Sequence, residues 1–227
     1  MKKITLSLLM ITTILSATNA QKAYLQGGAN FANISNNANG DTEDRNTLVS
    51  FNTGIMGTFG ISKIIDIESG LLFTGKGVKA ESFVNDNNYV RSTFNPYYLE
   101  LPVNLLVKFP MNATSNLFVS AGPYAAVGVA GKTKTVSKLL GIESTSENKI
   151  DFNNDDPTTT QQEDASYSKI KRFDYGLNFG GGITLKNFII KTNYGLGLAK
   201  INSTQTNNSE DHKNKYRTAS LSIGIPL

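Results

Sequence analysis

The residues of this chain that could do chemistry are mainly charged side chains set among apolar ones. Four acids and four bases occupy the polar positions of segments in which every second residue is apolar: Asp66, Glu68, Glu100, Asp174, Lys76, Lys108, Arg172 and Lys191. Paired carboxylates can serve as general acid and base when their surroundings shift their pKa values. Because acids and bases occur here in equal numbers, structural ion pairs are the commoner interpretation. We therefore expect an ion-pair network and no catalytic residue.

One stretch carries part of a calcium-binding pattern. Asp151, Asn153 and Asp155 have the first three ligand spacings of a calcium loop. The sixth position is Asp156 where such a loop has glycine, and the twelfth is Gln162 where it has glutamate. The stretch is therefore a weak calcium candidate, and a solvated acidic loop is the default interpretation.

Other reactive groups are few. His212 is the only histidine and lies among charged and polar residues, so we interpret it as a solvated loop side chain. The chain has no cysteine, which excludes disulfides, thiolate metal sites and a cysteine nucleophile. A formal net charge of +4 gives no case for nucleic acid as a partner. We predict that the protein is not an enzyme and carries no cofactor.

Three consecutive glycines within NFGGGITLKNF, residues 178–188, could cradle a phosphate. A phosphate loop requires a strand, then the glycines, then a helix whose N-terminus binds the anion. Here apolar residues alternate with polar residues or glycine on both sides of the triplet, and the next segment alternates in the same way. The glycines therefore belong to a strand, where they leave room for bulky neighbours and allow the sheet to bend.

Alternation with a period of two is the strongest pattern in the sequence, and it predicts β-strands. Over residues 172–185, mainly aromatic and aliphatic residues occupy the odd positions, and Arg172, Asp174 and mostly glycines the even ones. Eight segments behave in this way, at about residues 23–31, 49–61, 65–76, 97–109, 117–130, 173–185, 188–199 and 217–225. No segment has a convincing helical period.

The connections between these segments alternate in length. Long polar stretches at about 33–47, 79–93, 131–171 and 202–215 are separated by short turns at about 62–64, 110–115 and 186–187. Long loops on one rim and short turns on the other are typical of an outer-membrane barrel. We therefore predict an all-β, eight-stranded, antiparallel up-and-down transmembrane barrel. An eight-stranded barrel is just wide enough for its own side chains to fill the lumen.

The first twenty residues predict export. Lys2 and Lys3 precede an apolar run that is too short to span a bilayer, and small residues lead to a cleavage site at Ala20/Gln21. We expect residues 1–20 to be a signal peptide and residues 21–227 to form one barrel domain. Outer-membrane lipid is then the first partner.

Four stretches carry a family resemblance: NPYYLELPVNLLVKF, LFVSAGPYAAVGVAGK, DYGLNFGGGITLKNFIIKTNYGLGL and RTASLSIGIPL. They resemble the porin-like outer-membrane β-barrel family that includes the PorT proteins, over essentially the whole chain after the predicted signal peptide. The resemblance implies an eight-stranded outer-membrane barrel. One branch of that family serves secretion and gliding, and most members have no assigned activity.

Three functions remain open from the sequence. We favour a non-enzymatic outer-membrane barrel that acts through its surface loops or in envelope assembly or secretion, with envelope proteins as partners. The first alternative is a narrow passive channel for small solutes. The second is a soluble periplasmic barrel that holds an apolar ligand, which would require the apolar face to point inward.

Overall fold

The computed structural model describes residues 21–35, 47–85, 88–153, 169–201 and 214–227, and the regular structure in these ranges is entirely β-strand. No helix among these residues is long and apolar enough to cross a membrane. The strands are β1 (Gln21–Ile34), β2 (Leu48–Gly60), β3 (Ile65–Gly75), β4 (Val78–Asn85), β5 (Asn88–Pro110), β6 (Asn116–Leu139), β7 (Ile142–Lys149), β8 (Asp151–Phe152), β9 (Lys169–Ile170), β10 (Phe173–Thr184), β11 (Ile189–Gly197) and β12 (Tyr216–Pro226).

Eight of these strands form a closed antiparallel ring in the order β1, β2, β3, β5, β6, β10, β11 and β12. The ring closes because β12 pairs with β1, where Leu25 lies opposite Ile225, and β5 pairs with β6, where Leu101 lies opposite Ala125. The eight strands coincide with the eight alternating segments of the sequence. The predicted fold class is confirmed.

The two faces of the ring differ as the period of two predicts. On β5, Leu101, Val103 and Leu105 are exposed on the outside, whereas Pro102 and Asn104 between them are buried inside. The same arrangement recurs around the ring, with an apolar outer surface and a polar interior. This is the opposite of the soluble ligand-binding alternative, which requires an apolar interior.

Two predicted connections contain more strand than the sequence indicated. The segments 79–93 and 131–171 were expected to be loops, but β4, the first part of β5, the last part of β6 and β7 form four neighbouring antiparallel strands there. We call these four segments the projecting sheet, because they continue the barrel wall beyond the rim that bears the long connections. A further two-residue parallel pairing joins β8 to β9.

A β-bulge marks the base of the projecting sheet. Between Tyr97 and Tyr98 of β5 the register shifts by one residue against β6, so that Tyr98 lies opposite Gly128 and Tyr97 opposite Ala130. Val129 and Ala130 both face outward as a result. In the barrel part of β6, up to Val129, the odd-numbered residues face outward. In the part beyond the bulge, from Ala130, the even-numbered residues face outward.

Glycines occur on the inner side where neighbouring strands approach most closely. A Cβ atom on Gly182 would lie 2.2 Å from the carbonyl oxygen of Ile190 and 2.7 Å from the ring of Phe118. Gly27, on the outer side of β1, has no heavy atom within 4 Å of the same position. The last glycine of the GGG stretch therefore lies in a tightly packed strand, as the sequence predicted.

We expect Gly182→Ala to destabilise the barrel and Gly27→Ala to be tolerated. The alanine methyl group at position 182 forces the β10–β11 pair apart, an overpacking cost of about 1–3 kcal/mol. Urea unfolding of the barrel refolded in lipid vesicles, followed by circular dichroism, measures the difference. Equal midpoints for the two variants would contradict the close packing.

Candidate functional site

The centre of the lumen contains a lysine that two carboxylates share. The Nζ atom of Lys76 lies 2.8 Å from Glu100 Oε2 and 2.7 Å from Asp174 Oδ2, and all three side chains are buried. The same ammonium lies 4.1 Å from the centre of the Tyr124 ring, whose hydroxyl donates a hydrogen bond of 3.1 Å to Asp174 Oδ2. Residues from three walls of the barrel, β5, β6 and β10, therefore meet at Lys76, which follows β3.

A second buried cluster surrounds Glu68 of β3. Its carboxylate accepts hydrogen bonds from the Tyr24 hydroxyl at 2.6 Å, from the Asn104 amide at 3.0 Å and from the Lys191 ammonium. Glu68 is 1 % exposed, so its charge is compensated entirely by protein groups. Strands β1, β3, β5 and β11 are linked across the lumen at this level.

A third pair lies closer to the short turns. Lys108 Nζ is 2.6 Å from Asp66 Oδ1, with both side chains partly exposed. This pair joins neighbouring strands, because Asp66 is opposite Leu106 in the β3–β5 register. It extends the charged interior toward the rim of short turns.

A small polar cavity remains in the lumen beside these charged groups. A cavity of about 40 Å³ adjoins both buried clusters and is lined largely by amide and hydroxyl side chains, among them Gln26, Asn52, Asn193 and Thr218. This is room for about three water molecules. Toward the long connections, a buried apolar cluster closes over it, in which the Tyr98 and Tyr216 hydroxyls are 3.1 Å apart.

Seven of the eight charged residues selected from the sequence meet in these three groups: Asp66, Glu68, Lys76, Glu100, Lys108, Asp174 and Lys191. Arg172 lies outside these three groups. Arg172 precedes β10 and is exposed, and its guanidinium donates a hydrogen bond of 3.3 Å to the carbonyl of Phe152. Because β10 begins at Phe173, the alternation of that strand does not fix the side on which the Arg172 side chain lies.

The calcium candidate is not assembled by the described residues. Asp151 is an exposed residue of β8, and the backbone N–H of Asn153 donates to the carbonyl of Ile170. Asp155 and His212 lie outside the described residues. Among the residues that the structure describes, no group of three acidic or histidine side chains could hold a metal ion.

An aromatic cluster lies on the outer face where the barrel meets the projecting sheet. The rings of Phe51, Phe73 and Tyr97 have centroids 5.2 to 5.9 Å apart, and Phe73 and Tyr97 are stacked. Aromatic girdles mark the membrane–water interface of outer-membrane barrels. We place one edge of the hydrocarbon region at this cluster.

The far end of the projecting sheet is a feature that sequence reasoning missed. A two-residue turn, Leu140–Gly141, joins β6 to β7, with φ of 52° at Leu140 and 83° at Gly141. Leu140 is 89 % exposed, and Leu139 and Ile142 on either side are 64 % and 76 % exposed. We call these three residues the apolar tip. A hydrogen bond of 2.9 Å from the Leu140 N–H to Asn88 Oδ1 fixes it to the neighbouring hairpin.

A sequence comparison supports the barrel independently of its geometry. The family described as "Outer membrane protein beta-barrel domain" matches residues 19–203. This match covers most of the chain and includes seven of the eight strands of the ring. No curated protein sequence matches. The PorT-type resemblance remains a prediction.

Three of the solved structures that this chain matches are similar to it only at a low level, with TM-scores below 0.5. Ail, the attachment invasion locus protein of Yersinia pestis, is 14 % identical with a TM-score of 0.41, over 91 % of this chain and 98 % of that one. Neisserial surface protein A is 14 % identical with a TM-score of 0.42, over 90 % and 96 %. The protease OmpT from Escherichia coli is 9 % identical with a TM-score of 0.31, over 91 % and 96 %. These values support no assignment of activity.

We expect Lys76→Met to destabilise the barrel strongly, by about 3–5 kcal/mol, because it leaves two buried carboxylates without a cation. Adding Glu100→Gln and Asp174→Asn should restore much of the loss, since no unpaired charge then remains. The matched control is Lys132→Met, at an exposed ion pair with Glu147, which should leave the unfolding midpoint unchanged. Urea titration in lipid vesicles measures all three. A loss at Lys76 no larger than at Lys132 would contradict the lumen network.

Proposed function

Because the chain belongs to the outer membrane protein β-barrel domain family, we propose that it is a non-enzymatic membrane anchor that binds a partner through its projecting sheet. In this proposal the short turns face the periplasm, and the sheet stands outside the cell. The partner is another protein of the cell envelope or surface, with an apolar groove that accepts the apolar tip.

The observation that supports this proposal most directly is the backbone conformation and exposure of Leu140 in the apolar tip. Two-residue hairpin turns with positive φ at both central positions favour asparagine followed by glycine. A leucine in the left-handed region costs free energy, on the order of 1–3 kcal/mol, and such residues concentrate at functional sites. Leu140 combines that cost with nearly complete exposure of an apolar side chain. The unfavourable backbone conformation and the exposed apolar side chain are both explained if the Leu140 side chain is buried in a partner.

The interior of the barrel favours an anchor over a channel. Lys76 and Lys191, with their carboxylate partners, cross the lumen at two levels. Above them the apolar cluster around Tyr98 and Tyr216 occupies the side of the long connections. A hydrated path for solutes would have to break buried ion pairs, each of which is costly to open.

We expect the purified barrel to give no stable unitary conductance in planar bilayers, because its lumen is crossed by ion pairs. A general porin reconstituted from the same detergent serves as the positive control. Reproducible unitary steps from the barrel would overturn the anchor and support the narrow channel.

We expect Leu140→Asn to abolish partner binding without destabilising the barrel. Asparagine suits the left-handed turn better than leucine does, so the unfolding midpoint should stay the same or rise. The loss of the apolar side chain removes the contact. A photo-crosslinking amino acid at Ile142, in intact cells, should give a discrete adduct in the parent and a much weaker one in the variant. The matched control is Val119, on the lipid-facing surface of β6, which should give no protein adduct.

An undiminished adduct from Ile142 in the Leu140→Asn variant would contradict binding through the apolar tip. The absence of a protein adduct in the parent, under conditions where the barrel is inserted and folded, would contradict a partner at this end of the sheet.

A further inference from the structure

The two faces of the projecting sheet differ sharply in charge. On the face that continues the lipid-facing surface of the barrel, which we call the outer face, the described residues include six bases and three acids: Lys79, Arg91, Lys132, Lys134, Lys138, Lys149, Glu81, Glu143 and Glu147. On the opposite face, the described residues are uncharged, mostly serine, threonine and small apolar side chains.

The acids of the outer face do not neutralise its bases. Glu81 pairs with Lys79 and with Arg91, the latter at 2.6 Å, and Glu147 pairs with Lys132. The hydrogen bond from Lys132 holds the pKa of Glu147 below its usual range, so that carboxylate stays ionised and compensates one base. Within the described residues, Lys134 and Lys149 form no ion pair, which leaves a surplus of positive charge beside the barrel.

The surplus positive charge of the outer face begins at the level of the lipid headgroups. Asn95 is two residues beyond Tyr97 of the aromatic cluster, and it lies opposite Lys132, which in turn lies opposite Lys149. At about 3.4 Å per residue, these two lysines start about 7 Å above the aromatic rings. The headgroup region of one leaflet is about 5–8 Å thick. Lys134 is two residues higher.

We propose that Lys134 and Lys149 bind phosphate groups of the lipids that surround the barrel in the outer leaflet, in the orientation that the proposed function gives the sheet. The bulge at Tyr97/Tyr98 is what turns these side chains toward the lipid rather than over the lumen. Ammonium groups close to a membrane surface attract anionic headgroups, and this attraction decays within a Debye length. The contact holds the base of the sheet against the membrane, and it is independent of what the apolar tip binds.

The test compares phosphorylated with dephosphorylated lipid A by native mass spectrometry of the refolded full barrel in uncharged detergent. We expect the parent to retain the phosphorylated form preferentially. The double variant Lys134→Gln with Lys149→Gln should bind it about tenfold more weakly. The pair Lys134→Arg with Lys149→Arg should restore binding. Heat-dependent mobility on gels shows that each variant is folded.

Two controls separate this proposal from its competitors. Lys63→Gln with Lys186→Gln removes the same charge from exposed positions at the rim of short turns and should leave the affinity unchanged. Lys138→Gln lies on the same strand and face as Lys134 but four residues farther from the membrane, about 14 Å, and should have little effect.

Three results would overturn the proposal. The first is equal retention of phosphorylated and dephosphorylated lipid by the parent. The second is an unchanged affinity in the Lys134→Gln, Lys149→Gln variant. The third is a loss in Lys138→Gln as large as in that double variant, which would indicate a soluble polyanion bound along the whole outer face.

Discussion

Backbone hydrogen bonding in a medium without water is the constraint on which this structure depends. Each unpaired N–H or C=O group in the hydrocarbon region is costly, so a spanning sheet must close on itself. The pairing of β12 with β1 removes the last two edges of the ring. The lipid-facing surface of the ring can then be apolar, and the polar side chains lie on the inside of the ring. The crowding that closure imposes explains why glycine stands at positions such as Gly182, where no Cβ fits.

The small ring has a consequence for charge. Side chains inside an eight-stranded barrel fill it, so charged residues there lose their water and must find partners. Lys76 with Glu100 and Asp174, and Lys191 with Glu68, meet that requirement across the lumen. The same contacts link strands that are not neighbours in the ring. Filling of the lumen and pairing of its charges are therefore one property of the interior, and for this reason we propose a function on the outside of the barrel.

Much of this was readable from the sequence because a strand repeats every two residues. The alternation predicted the eight strands of the ring, their inner and outer faces, and the seven charged residues that meet in the lumen. The alternation no longer predicts which side chains face inward where a bulge shifts it by one residue. The bulge at Tyr97/Tyr98 shifts the phase of β6 by one residue, so continuing the alternation would have placed Lys132 and Lys134 inside. Arg172 precedes β10, which begins at Phe173, so the alternation of that strand does not extend to it.

The strands of the projecting sheet could not be predicted from the sequence for a different reason. Its strands alternate charged residues with serine and threonine rather than with apolar residues, and this polar composition resembles a loop. What places these residues in a sheet is the continuation of β5 and β6 beyond the barrel, a tertiary effect with little local signature. The apolar tip could not be predicted from the sequence either. The Leu140–Gly141 pair is unusual only because both residues have positive φ, which is known from the structure alone.

The proposed function requires one arrangement: an inserted barrel with the short turns inside the cell envelope and the projecting sheet outside the cell. Because the chain has no cysteine, a single introduced cysteine is a unique label. Thr145→Cys, in β7, should react with a membrane-impermeant maleimide on intact cells. Asn112→Cys, in the turn between β5 and β6, should react only after the outer membrane is opened. Labelling of Asn112→Cys but not Thr145→Cys on intact cells, or recovery of the protein in the soluble periplasmic fraction, would contradict the account.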